Sequence, residues 1–390
     1  MSCENMHNTL QKHIHDYLQD RKKSGLLREL TPCYVRNNPK DLYLNLNDYL
    51  QLSTHPSVVQ AAQKAIKIWG TSSGGSPVVG SYWPIHQELE DVLKKWCGFE
   101  YGLLWNSGYT ANKALMSTLP QKGDVVLADR YIHNSMLLGI QETSAKLIRY
   151  HHLDLNHLED LLRIHTHPDR TVFVVTESVF SMDGDYPDFS QMAFLKDRYH
   201  FFWIVDEAHA LGWYGPIGNG LVATFGVEKK VDIIVATLGK ALASQGAFTL
   251  FHNPHLRSYL LNRTSEFIYS TYLTPAATAA SIAAIEVIKT ESIMHQSKWL
   301  AETLTLKKRL TSYFPHIPLY DSAILPLVIG DPETMLNLAS QLAEQYRIHV
   351  GAIRPPSVPK GTSRLRLSLH CNLAFDLLGE RLENFFQNSF

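Results

Sequence analysis

No run of about 18 consecutive apolar residues occurs in the chain, so no membrane-crossing helix is expected. The first stretch, MSCENMHNTLQKHIHDYLQDRKK, is polar and lacks the apolar segment of a secretory signal, which points to a cytoplasmic protein. Cysteine is scarce: Cys3, Cys33, Cys97 and Cys371 are scattered, and no two stand as CxxC. A disulfide framework or a zinc site is therefore not expected, no other metal is called for, and a reducing compartment fits. Charge of one sign is also lacking. A formal net charge of −1 gives no reason to expect nucleic acid or an anionic membrane as partner. Finally, the glycine pattern of nucleotide-binding loops is missing. The string DEAH (206–209) suggests a nucleotide hydrolase, but the single Gly-Lys pair, Gly239-Lys240, has Ile234 where a P-loop needs its first glycine and Ala241 where it needs Ser or Thr. The glycines of GPIGNG (215–220) are not spaced as GxGxxG, which removes the dinucleotide fingerprint as well.

What is present is a globular chain, with 45% hydrophobic and 19% charged residues over 390 positions. That length suits one large domain and a smaller one. An amphipathic helix is expected up to about Lys23, with Ile14 and Leu18 four apart. The segment 41–50, DLYLNLNDYL, alternates like a short strand. Helices are expected from Pro56 to Trp69 and from Pro84 to Cys97, with the Gly/Ser loop TSSGGS between them. Then short apolar runs alternate with helical stretches: GLLWN, DVVLAD, KLIRY, TVFVVTES, FFWIVDEA, DIIVATLG and GAFTLF. Such runs read as buried strands, and the alternation predicts an α/β domain with a mostly parallel central sheet. A long helix is expected over 275–310. A smaller C-terminal α+β domain follows, with strands near 325–329, 349–353 and 363–369. The expected division is 1–50 for the N-terminal segment, 51–275 for the large domain, and 276–390 for the linking helix and small domain.

In a parallel sheet, ligands gather at the carboxyl ends of the strands, so the residues after each run are the candidates. FFWIV ends at Asp206, with His209 three residues on. A carboxylate there either caps a local turn or faces a cationic ring nitrogen. DIIVATLG ends at Lys240 with small apolar neighbours and Thr237 before it. A lysine so placed either points to water or is desolvated into a usable amine nucleophile. GLLWNSGYTAN turns at Ser107-Gly108 and opens a helix near Tyr109, which offers free N–H groups and a helix dipole to a phosphate. His133, in DRYIHNS, either packs structurally or stacks on an aromatic ligand. Ser181 and Asp183 lie in a turn, MDGD, where a hydroxyl could also reach a ligand oxygen. Arg364 and Arg366 share one face of an alternating stretch and are either surface cations or a carboxylate clamp; Arg354 precedes them.

Together these strings resemble the α-oxoamine synthase family of fold-type I pyridoxal-phosphate (PLP) enzymes. The similarity runs from about Asp41 to Asn372 through NDYL (47–50), SGGS (73–76), HQELE (86–90), NSGYTAN, DRYIHNS, TESVFSMDGD, VDEAHALGWYGPIGNG, TLGKALASQGA, FIYST (267–271) and AIRPPSVPKGTSRLRLSL. The resemblance implies pyridoxal 5'-phosphate as cofactor and Lys240 as its Schiff-base lysine. It implies Asp206 as partner of the ring nitrogen, His133 as the stacking ring, and Ser181 and His209 at the ring oxygen. Ser107, Gly108 and Tyr109, with Thr237, would cradle the phosphate. Arg366 would hold the amino-acid carboxylate, Asn47 would lie near substrate, and Arg28 is a candidate substrate contact. A homodimer with shared active sites is implied. Within the family, AIRPPSVP and FIYST resemble the branch that condenses L-alanine with a pimeloyl thioester to 8-amino-7-oxononanoate. Related synthases using glycine or serine with another acyl-CoA, and a non-catalytic PLP-binding subunit, are the alternatives. Pro77 and the GSYW segment (80–83) depart from the family pattern near the expected acyl entrance. They leave the acyl chain and its carrier, CoA or acyl carrier protein, open.

Overall fold

In the computed structural model, which describes residues 3–30, 32 and 41–389, seven strands form the sheet that organises the large core. With β1 at Leu42–Leu44, they are β2 (Tyr101–Trp105), β3 (Val125–Asp129), β4 (Lys146–Tyr150), β5 (Val172–Glu177), β6 (Phe202–Asp206), β7 (Ile233–Thr237) and β8 (Ala247–Phe251). Each matches one of the short apolar runs. The spatial order is β2-β8-β7-β6-β5-β3-β4, and β8 alone runs against its neighbours. Helices cover both faces, so the central strands have no solvated side; β3 and β5 are buried at every position. The carboxyl ends of β2, β3, β5, β6 and β7 therefore share one edge of the sheet.

The second sheet has the order β1-β10-β11-β9, with β9 at Ile324–Gly330, β10 at Ile348–Ile353 and β11 at Ser363–Ser368. It brings residues from the two ends of the sequence together: β1 pairs in parallel with β10, and Leu44 belongs to the same apolar cluster as Leu325, Leu365 and Leu382. The alternation of 41–50 does not continue as a strand. Only Leu42–Leu44 is extended, because the polar residues that follow find better partners in a turn. Asp48 accepts the N–H groups of Leu52 and Ser53 at 3.0 and 3.3 Å, and Asn47 turns toward β11.

The expected helix over 275–310 is two helices, Pro275–Thr290 and Gln296–Arg309, with a 3-10 turn at Ser292–His295 between them. The break re-aims the apolar face. Ile285, Ile288 and, past the break, Trp299 pack into the large core, whereas Leu306 and Leu310 pack into the small one. The N-terminal helix, Cys3–Lys23, forms as the periodicity predicts, but its apolar stripe is uncovered: Leu10, Ile14, Tyr17 and Leu18 are all about half exposed. Among the described residues, no helix is long and apolar enough to cross a membrane. Cys97 and Cys371 are free thiols; Cys33 and the Cys3 side chain lie outside the described residues.

Candidate active site

Asp206 ends β6 and Lys240 lies just beyond the end of the neighbouring β7, close enough for the Asp206 charge to act on it. Asp206 is buried at the tip of β6. One carboxylate oxygen accepts the Ala208 N–H at 2.9 Å, and the other accepts the Asn112 side-chain amide at 2.7 Å. The carboxylate thus does close a local turn, but a second donor from a different helix holds it in a fixed orientation. Lys240 sits in a tight turn after β7, where the next-but-two residue, Ala243, adopts a left-handed φ of 50° and donates to the Lys240 carbonyl at 2.8 Å. Its Nζ lies 2.8 Å from His209 Nε2. Burial pulls the Lys240 pKa down to about 8, with the Asp206 and Glu177 carboxylates opposing and the Arg366 cation adding to the fall. Lys240 is therefore a half-buried amine with a lowered pKa, held against His209, and not a solvated surface cation.

A chain of buried polar groups leads away from Lys240. His209 Nδ1 is 2.7 Å from the Tyr49 hydroxyl, and Tyr49 is fully buried. The His209 pKa is held well below the usual range by burial, then by Lys240 and Arg366. Arg366, 6% exposed, donates to the Ser181 carbonyl at 2.6 Å, to Ser368 Oγ at 2.8 Å, to Asn47 Oδ1 at 3.1 Å and to the Tyr49 hydroxyl at 3.4 Å. All of these partners are neutral. Its strand neighbour Arg364 is also buried, but it is ion-paired to Asp183. The two arginines that the alternation placed on one face are thus distinct: one is neutralised, the other is a buried cation with no acid partner among the described residues.

Ser107 caps the helix Gly108–Thr118, and its Oγ accepts the Thr110 N–H at 3.1 Å. The N–H groups of Gly108 and Tyr109 have no protein acceptor among the described residues. Thr237 closes the other side: its Oγ1 donates to the Gly246 carbonyl and accepts the Gly239 N–H, both at 3.1 Å. A Cβ on Gly108 would lie 3.7 Å from Thr237 Cβ, an ordinary contact, so Gly108 faces Thr237 across a narrow gap. His133 ends the turn after β3, and its Nδ1 lies 2.6 Å from Ser135 Oγ. Its pKa is lowered by the protein around it, with Asp206 opposing and Lys240 reinforcing. Tyr109 meets the His133 ring edge-on. The Ser181 N–H donates to Glu177 at 3.1 Å.

A cavity of about 500 Å³ opens beside these groups, lined by His133, Ser181, Met182, Pro356, Val358 and Arg364 among others. Arg28 is not brought into the Lys240 cluster. It is exposed and donates to the carbonyls of Arg354 and Pro355. A larger groove of about 660 Å³ lies elsewhere, between the helices Pro56–Trp69, Pro84–Cys97 and Pro275–Thr290, and holds none of the convergent groups described above. The segment 77–83 adjoins that side of the molecule, and Trp83 packs on Trp69.

The family model for class I and II aminotransferases matches residues 39–380. The chain belongs to that family. Curated relatives include the 8-amino-7-oxononanoate synthase of Trichlorobacter lovleyi, 38% identical over 90% of this chain and 91% of the relative. That of Chlorobaculum parvum is 37% identical over 86% of each. Among solved structures, the 8-amino-7-oxononanoate synthase of Francisella tularensis superposes with a TM-score of 0.76 at 26% identity, over 90% of this chain and 98% of that one. A serine palmitoyltransferase from S. paucimobilis with PLP and myriocin bound gives 0.87 at 23% identity, over 96% and 97%, a likeness of fold. The α/β architecture of this aminotransferase-family chain, with its mostly parallel sheet, is that of fold-type I PLP transferases.

The structure adds residues that sequence reasoning passed over. Asn112, one turn beyond Gly108, orients Asp206. Tyr49, in NDYL, joins His209 to Arg366. Glu177 is the register partner of Asp206 across β5 and β6, and burial with the Asp206 charge pushes its pKa well up. Glu177 was legible in principle, since it ends a strand just as Asp206 does. Glu207, the second letter of DEAH, accepts the Leu221 and Val222 N–H groups and anchors a short helix.

Proposed function

We propose that this chain is a PLP-dependent C-acyltransferase that condenses L-alanine with a pimeloyl thioester, releasing 8-amino-7-oxononanoate, carbon dioxide and the free thiol carrier. The observation that carries this reading is the pairing of a desolvated amine, Lys240, with a buried unneutralised guanidinium, Arg366, joined through His209 and Tyr49. An amino acid offers one anion and one acidic Cα proton, and the site holds one group for each.

The residues fit pyridoxal 5'-phosphate. The two unclaimed N–H groups at Gly108 and Tyr109 suit its phosphate, the buried Asp206 carboxylate its ring nitrogen, and Lys240 its aldehyde carbon. When bound, the cofactor supplies an electron sink for the negative charge at the substrate Cα. Everything else belongs to the chain. Asn112 fixes one Asp206 oxygen and with it the plane of the carboxylate. Arg366 binds the amino-acid carboxylate and keeps its planar fork aimed through Ser181, Ser368 and Asn47. Lys240 Nζ, whose pKa of about 8 leaves a neutral fraction near neutral pH, takes the Cα proton. His209 Nε2 lies where that proton is next shared. The cavity beside His133 and Ser181 takes the thioester limb.

A cytoplasmic homodimer with shared active sites goes with this reading. The SGGS segment packs on the chain just after FIYST through Ser73 Oγ and Gly75 O to Tyr272. The uncovered stripe on Cys3–Lys23 and the apolar groove near Trp69 supply faces for a second copy.

The test is to load the purified protein with PLP and offer alanine, glycine and serine, each with pimeloyl and other acyl thioesters on CoA or acyl carrier protein. Thiol release is measured alongside the mass in solution. Alanine with a pimeloyl thioester should be preferred by a wide margin. Failure to take up PLP, or preference for serine with a long acyl chain, would overturn the assignment.

A further inference from the structure

His152 follows β4 and belongs to no catalytic group named so far. Its ring lies between two loops. Nδ1 is 2.8 Å from Asp129 Oδ1, and Nε2 is 3.0 Å from Asp185 Oδ2. Asp129 ends β3 and also accepts the Tyr131 and Leu153 N–H groups at 2.8 and 2.9 Å, so it shapes the turn that delivers His133. Asp185 closes the loop that carries Ser181, with its carbonyl accepting the Phe180 N–H at 2.9 Å. The ring also touches one aromatic from each loop: Tyr131 at 4.6 Å and Phe180, edge-on, at 4.5 Å. Leu153, the next residue, takes a left-handed φ of 55°, a strained backbone for leucine. Two nitrogens facing two carboxylates can both donate only in the doubly protonated ring.

We propose that His152 is a positioning residue whose imidazolium clamps the His133 loop to the Ser181 loop, and which releases both when it loses its proton. The inference rests on the cofactor-site reading above for the meaning of the two loops, and on geometry for the clamp itself. Burial alone would lower the His152 pKa, but the two carboxylates outweigh it and hold it at about 9. The other groups that face the triad are Tyr150 and Glu177 near Asp129, Asp183 with its partner Arg364, and Lys307 and Tyr320 near Asp185. Lys307 is pulled to about 7 by burial, so its titration is separate.

The clamp is read without cofactor by amide hydrogen exchange of the full-length apo chain, corrected for intrinsic rates, in segments 129–135 and 178–186. His152→Gln at pH 7 should raise exchange in both segments together, by about tenfold or more. Wild type should show the same paired rise in one step near pH 9. Asp185→Asn, which keeps shape but removes one carboxylate, should move that step down by about one unit or more. In the PLP-loaded protein, the visible circular dichroism of the cofactor should follow the same step in wild type and be pH-independent there in His152→Gln. Exchange that rises in one segment only, a wild type with no step, or an unmoved step in Asp185→Asn would refute the clamp. If His152→Gln fails to fold, the Asp185→Asn shift decides alone. If PLP does not bind while both segments still loosen together, the cofactor reading falls and the clamp stands.

Discussion

Arg364 and Arg366 are two positions apart on β11 and equally buried, yet their removal should have opposite consequences. Arg364 neutralises Asp183, whose carboxyl is already pushed up by burial. Arg364→Met leaves that acid buried without a counter-charge. Breaking a buried pair costs ~3–5 kcal/mol, and the lower end applies because the Asp183 side chain keeps 21% of its surface exposed. At ~2 °C per kcal/mol for a large domain, the melting temperature should fall by ~6 °C. Arg366 has no acid to abandon. Arg366→Met forfeits hydrogen bonds to neutral groups at ~1 kcal/mol each, while relieving the burial of a lone charge, so the net change should stay within ~2 kcal/mol. Its loss appears instead with substrate. Two charge-assisted bonds to a carboxylate are worth ~3–6 kcal/mol, which is ~10²–10⁴ in kcat/KM for the amino acid. Thermal melts of both apo variants, beside steady-state kinetics over an amino-acid series, check this. An Arg366→Met protein that melts like Arg364→Met, or that retains kcat/KM within tenfold, would refute the distinction.

Other outcomes follow from the same geometry. Capture of PLP by the apo chain should accelerate as pH rises, with a midpoint about 8, because the depressed Lys240 pKa exposes the neutral amine well below its ordinary 10.5; stopped-flow absorbance reads this, and Lys240→Ala should show no capture at all. Asn112→Ala removes the 2.7 Å donor from a buried Asp206 oxygen and should cost ~1–3 kcal/mol in denaturant unfolding, with weaker PLP retention. Ala243 holds a left-handed φ of 50° in the Lys240 turn; Ala243→Gly should raise stability by up to ~1 kcal/mol, since relief of that strain exceeds the entropic cost of glycine.

Much of this molecule is legible in one dimension. The seven apolar runs became the seven strands of the main sheet, because a strand covered by helices on both faces must be apolar throughout, and that leaves a continuous signature. Asp206 and Lys240 could be singled out because the rule that ligands gather at strand ends needs no coordinates. Local chemistry was equally readable at Ser107-Gly108, a turn expected to open a helix near Tyr109; the helix starts at Gly108 with Ser107 as its cap. The misreadings have a common cause. The alternation over 41–50 and the periodicity over 275–310 are local patterns, and in both places partners distant in sequence decided the outcome. Asn47 and Tyr49 are drawn to Arg366, some 320 residues away, and beyond the helix break the chain passes from the large core at Trp299 to the small one at Leu306.

The sequence by itself determined the main sheet, the edge of that sheet at which its strands end, and the amine and carboxylate that stand there as candidates. Only the tertiary structure decided which of two equivalent arginines stays unneutralised, that Asn112 holds Asp206 and Tyr49 joins His209 to Arg366, and that His152 bridges two loops. Those are facts about which charges meet in a low-dielectric interior. Coulombic and hydrogen-bond energies there depend on separations of a few ångströms between residues far apart in the chain, a quantity that composition and periodicity do not carry.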